Sequence, residues 1–67
     1  MSQADAPWPK GVSQPAIRAL NAAGYFRLEE LAGASESALQ RLHGMGPKAI
    51  RVIKEALAER GLRQLTP

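Results

Sequence analysis

The sequence predicts an all-α domain, a compact bundle of four to five short helices, and three observations carry that prediction. Apolar residues recur at helical spacing, most plainly Ile50, Ile53 and Leu57. Glycines at 24, 33, 44 and 61 each close such a stretch. No segment shows the period-two alternation or β-branched enrichment of a strand. At 67 residues there is room for one domain, and chains of this size bury only about 60% of their unfolded surface. Cysteine is absent, so neither a disulfide nor a thiolate metal site adds stability. Helix packing alone must hold the fold.

Residues 1–9 are small, polar and proline-bearing and read as a flexible N-terminal arm, with Trp8 at its end docking on the core. The domain proper spans 10–63, and 64–67 form a C-terminal tail. The first helix starts with Ser13 as N-cap and Pro15 in its first turn, keeps Ile17, Leu20 and Ala23 on one face, and stops at Gly24. Tyr25 and Phe26 follow as core candidates. A short second helix through Leu28-Glu29-Glu30-Leu31 closes at Gly33, its acids at the positive end of the helix dipole. Ser35 caps a third helix carrying Leu39 and Leu42, which His43 is expected to cap before Gly44. The fourth begins at Pro47 and ends before Gly61, with Arg60 and Arg63 as favourable charges near its C-terminal end.

The net charge of +3 is modest, but its placement is uneven. Residues 10–27 carry Lys10, Arg18 and Arg27 with no acid; residues 28–47 are net acidic through Glu29, Glu30 and Glu36; residues 48–67 return to net basic. No apolar run reaches membrane-spanning length and the first residues lack a basic-then-apolar leader pattern, so a soluble, cytoplasmic protein without membrane contact is expected. One histidine, no cysteine, and Glu29 and Glu30 as mere neighbours supply neither a nucleophile-base pair nor a metal cluster. The expectation is a non-enzyme with no cofactor and no metal, favoured as a monomer.

The informative pattern is an internal repeat. Gly11-Val12-Ser13-Gln14-Pro15-Ala16-Ile17-Arg18-Ala19-Leu20 matches Gly44-Met45-Gly46-Pro47-Lys48-Ala49-Ile50-Arg51-Val52-Ile53 at an offset of 33 residues, with Gly, Ala, Ile and Arg identical. Glycine permits positive φ and close backbone approach, while the apolar residue between pins the loop to the core. Outward amides and the unsatisfied N–H groups of the next helical turn then form a cradle for an anionic oxygen, and phosphate is the natural guest. Lys48 stands in the first turn beyond the second loop; Arg18 and Arg51 lie at matching positions one turn deeper.

The run Leu39-Gln40-Arg41-Leu42-His43-Gly44-Met45-Gly46-Pro47-Lys48-Ala49 resembles the helix-hairpin-helix motif. The pattern from Ser13 to Leu62 also resembles the C-terminal domain of the bacterial RNA polymerase α subunit. The resemblance implies a SAM-like bundle with two pseudo-symmetric helix-hairpin-helix units. It also implies that the amides near Gly44 and Gly46, with the Lys48 side chain, contact DNA backbone at the minor groove. The polymerase domains place an arginine near the start of helix one, where this chain has Gln14 and Pro15. That departure points to a tandem module gripping double-stranded DNA without sequence preference, through Gly11, Val12, Ser13, Arg18, Gly44, Met45, Gly46, Lys48, Ala49 and Arg51. The alternatives are a protein-interaction module of transcription-associated type, using the acidic middle or the surface around Trp8, and recognition of damaged or branched DNA by shape.

Overall fold

Ser13 opens the first helix as the sequence predicts: its hydroxyl accepts from Ala16 N–H at 3.3 Å, and α1 runs Gln14–Ala22. The computed structural model describes residues 8–67, so the expectation for positions 1–7 of the arm lies outside the described residues. Ala16 and Leu20 are fully buried along α1, with Ile17 packed beside them. Gly24 N–H then donates to Asn21 O at 3.0 Å and Tyr25 N–H to Leu20 O at 2.9 Å. That pair of bonds is the Schellman termination that a positive-φ glycine allows. It returns Tyr25 to the core, against which it packs partly buried. Ala23, expected on the apolar face, is instead the exposed C-cap, because the helix has already ended there. Phe26 is likewise not a core residue. With Tyr25 occupying the returning position, its side chain points outward, 56% exposed.

The second element is a 3-10 helix, Leu28–Leu31, since four residues between two extended caps suit i→i+3 bonding better than α geometry. Glu30 does the capping: its carboxylate accepts from the N–H groups of Phe26 and Arg27. Helix α2, Glu36–Gln40, is capped by Ser35, whose Oγ accepts from Ala38 N–H at 3.2 Å. It is shorter than the sequence suggests. Arg41, not His43, is its C-cap, and Arg41 and Leu42 donate to Ala38 O and Leu39 O in tightened turns that leave His43 exposed past the end. Helix α3, Pro47–Glu59, starts where proline and the preceding glycine place it and buries Ala49, Ile50, Ile53 and Leu57. Its end repeats the first helix: Gly61 N–H to Ala58 O at 3.1 Å and Leu62 N–H to Leu57 O at 2.9 Å.

These four helical elements, three α and one 3-10, surround one core. Leu20, Leu28, Leu31, Leu39, Ile53 and Leu57 are its largest fully buried side chains, and Trp8 and Val12 close its edge at 8% exposure each. Docking of Trp8 on the core is thus observed. Among the described residues no strand forms beyond an isolated parallel bridge between Ser35 and Thr66. There the last residues are tied down: Thr66 N–H donates to Ala34 O at 2.8 Å and Glu36 N–H to Thr66 O at 2.7 Å. The acidic middle folds against the basic third segment, with Glu36 pairing Lys54 at 2.9 Å and Glu29 pairing Arg60 at 3.0 Å.

Candidate nucleic-acid interface

The repeat in sequence is a repeat in conformation. Gly11 and Gly44 both take positive φ, 102° and 96°, a region that L side chains rarely enter. The turns that follow close identically: Val12 N–H donates to Pro9 O at 3.3 Å and Met45 N–H to Leu42 O at 3.1 Å. The first helical bonds match as well, Ile17 N–H to Ser13 O at 2.9 Å and Ile50 N–H to Gly46 O at 3.2 Å. Each hairpin glycine also backs onto the helix of the other unit. A Cβ on Gly11 would stand 2.9 Å from Val52 Cγ2 on α3, and one on Gly44 would stand 2.9 Å from the Pro15 carbonyl oxygen on α1. The first glycine of each loop is therefore required twice, by its φ and by the close contact between units.

The structure sorts the sequence-predicted residues into two groups. Val12, Met45 and Ala49 turn their side chains into or against the core. The amides of Val12 and Met45 close their own turns, so these two do not join the outward set that the sequence reading assigned to the whole loop. Gly11, Ser13, Arg18, Gly44, Lys48 and Arg51 are exposed, and Gly46 is half-buried. Neither Lys48 nor Arg51 forms an ion pair among the described residues, whereas Lys54 and Arg60 of the same helix do.

The two loops differ at their third position, and the difference decides which is the better cradle. In the first, the Ser13 hydroxyl occupies the helix N-terminus and satisfies Ala16 N–H. In the second, Gly46 is the N-cap and no side chain caps α3. The amides of Gly46, Lys48 and Ala49 have no hydrogen-bond acceptor among the described residues. A Cβ on Gly46 would meet nothing within 4 Å, so the space beside Gly46 is open. Gly46 has φ −105° and ψ 173°, a conformation open to any residue. Backbone geometry therefore does not require glycine here. An uncapped N-terminus of a thirteen-residue helix, with Lys48 in its first turn, suits a phosphate oxygen.

Residues 10–59 match the profile of the SAM-like helix-hairpin-helix tandem. The chain belongs to that family. Helix-hairpin-helix domains commonly bind nucleic acid, and the tandem's two loop-to-helix units are the elements just described. No curated protein and no solved structure matches the chain. Among the described residues of the tandem, no group of three or more His, Cys, Asp or Glu side chains is placed to hold a metal ion. No described helix is long and apolar enough to cross a membrane.

Proposed function

We propose that this tandem is a non-enzymatic, cytoplasmic module that grips the phosphate backbone of double-stranded DNA from the minor-groove side without reading sequence. The observation that carries the reading is the second hairpin: open amides at Gly46, Lys48 and Ala49, open space beside Gly46, and an ammonium one residue into the helix. Arg51 on α3 and Arg18 on α1 extend the same charge one turn deeper in each unit. The first hairpin is the weaker holder, because Ser13 already satisfies part of its helix N-terminus. The likeness to the RNA polymerase α C-terminal domain belongs to this proposal, with Gln14 and Pro15 standing where those domains place their minor-groove arginine and so favouring backbone contact alone. A few phosphate contacts of this kind correspond to dissociation constants on the order of 10⁻⁴ to 10⁻⁶ M at physiological salt.

The test is an amide-shift NMR titration with a short blunt duplex, at low and then raised salt. Shifts centred on Gly44 to Ala49, smaller at Gly11 to Ser13, fading with salt and lost in Lys48→Glu, are the expected result. Unmoved hairpin amides under excess DNA would overturn the reading and direct attention to a protein partner.

A further inference from the structure

Beside the first hairpin lies a groove of about 530 Å³ lined by Trp8, Pro9, Val12, Gln14, Ile17, Asn21 and Phe26. Phe26 is the exposed large hydrophobic residue of the described surface. The volume falls within the range of roughly 300 to 1,000 Å³ usual for small-molecule pockets. Its lining combines two aromatic residues, Trp8 and Phe26, with two primary amides, Gln14 and Asn21, each offering both a donor and an acceptor. On α1 these amides lie on one face with Ile17, at positions i, i+3 and i+7, and Arg18 neighbours both at helical spacing. Lys10 adjoins Pro9 and Arg27 adjoins Phe26 in the chain, and residues 10–27 contain no acid. The carboxylate fixed nearby, Glu30, is taken up by the amides of Phe26 and Arg27, and an aromatic, amide-lined groove with Arg18 on the adjoining helix complements a flat heterocycle carried on a polyanion.

We propose that this groove receives an unpaired nucleobase from a strand extending out of the duplex, making the preferred ligand a single-strand/duplex junction. The inference rests on the DNA-binding reading and deepens it. Val12 links the two surfaces: it is the pinned centre of the first hairpin and a wall of the groove. A strand leaving the hairpin has Arg18 beside it, and its first unpaired base stacks on Phe26 with its edge toward Gln14 and Asn21. Base-aromatic stacking is sequence-tolerant because every base has a π-face.

Trp8 is the single tryptophan of the chain and lines the groove, so its fluorescence reports occupancy. The full chain is titrated with a blunt duplex and with the same duplex bearing a short single-stranded extension. The extended DNA is expected to bind about tenfold more tightly, the lower part of the range for stacking one base, and to quench Trp8. Phe26→Leu should reduce that affinity to the blunt-duplex value while leaving the latter unchanged, and Phe26→Tyr should restore the preference. Blunt duplex binding with no gain from the extension, or a gain that survives Phe26→Leu, would overturn the groove while leaving the hairpin reading intact. Phe26-dependent quenching by single-stranded DNA without any blunt-duplex binding would support the groove and overturn the hairpin grip. Quenching by an acidic apolar peptide but by no DNA would overturn both.

Discussion

Two glycines two residues apart do different work. Gly44 is needed by the fold, since its φ of 96° and the Pro15 carbonyl 2.9 Å from any Cβ leave no place for a side chain. Gly44→Ala is therefore expected to destabilise by more than about 1 kcal/mol, whereas the same change at an unstrained glycine site is stabilising. Gly24, with nearly the same φ but nothing within 4 Å of its Cβ, isolates the conformational part. Urea denaturation should find Gly44→Ala clearly the more damaging of the two, and equal losses would contradict the inter-unit contact. Gly46 is not needed by the fold. Gly46→Ser copies the first hairpin's cap and should stabilise by a few tenths of a kcal/mol while weakening DNA binding, because the hydroxyl takes up the open amides. A Gly46→Ser protein that binds duplex as tightly as the parent would place the phosphate elsewhere.

At the scale of elements, the short helices persist because their ends are satisfied. Ser13, Ser35 and Glu30 cap three N-termini, and Schellman turns at Gly24 and Gly61 close two C-termini while returning Tyr25 and Leu62 to the core. The final segment acts as a strap. Thr66 exchanges backbone hydrogen bonds with Ala34 and Glu36, and Leu65 packs partly buried on the core. Deleting residues 65–67 removes two backbone bonds, each contributing about 1 kcal/mol, together with the Leu65 contact. The melting temperature should fall by roughly 4 to 8 °C for each kcal/mol lost in a domain of this size, so a drop of at least several degrees in calorimetry is expected. An unchanged melting temperature would mean that the strap is dispensable.

Across the whole molecule, folding redistributes a charge pattern that looks segregated along the chain. Lys54 and Arg60 are drawn into pairs with Glu36 and Glu29, two acids of the middle segment, while Lys48, Arg51 and Arg18 remain exposed around the two units. If about three phosphates are neutralised, the logarithm of the affinity should fall with the logarithm of salt with a slope near −3. Lys48→Ala should reduce the slope by about 1, and Lys54→Ala should leave it unchanged. Fluorescence anisotropy at several salt concentrations measures both, and a flat dependence would exclude phosphate contact as the source of binding.

By itself the sequence determined the all-helical class, three helix starts at Ser13, Ser35 and Pro47, the buried stripe of α3, and the paired hairpins, because caps, glycines and apolar spacing act over a few residues. It also singled out Lys48 and the hairpin glycines. Only the tertiary structure decided that Phe26 faces out, that α2 stops at Gln40, that Thr66 pairs with Ala34 and Glu36, and that Lys54 and Arg60 belong to ion pairs. The last two depend on partners distant in sequence, and the first two on which turn closes the end of each helix. The unequal hairpins sit between the two levels. Ser13 opposite Gly46 is visible in the repeat, yet which helix N-terminus is capped and which is left open appears only once both helices are in place. An amide's availability is a property of everything that surrounds it.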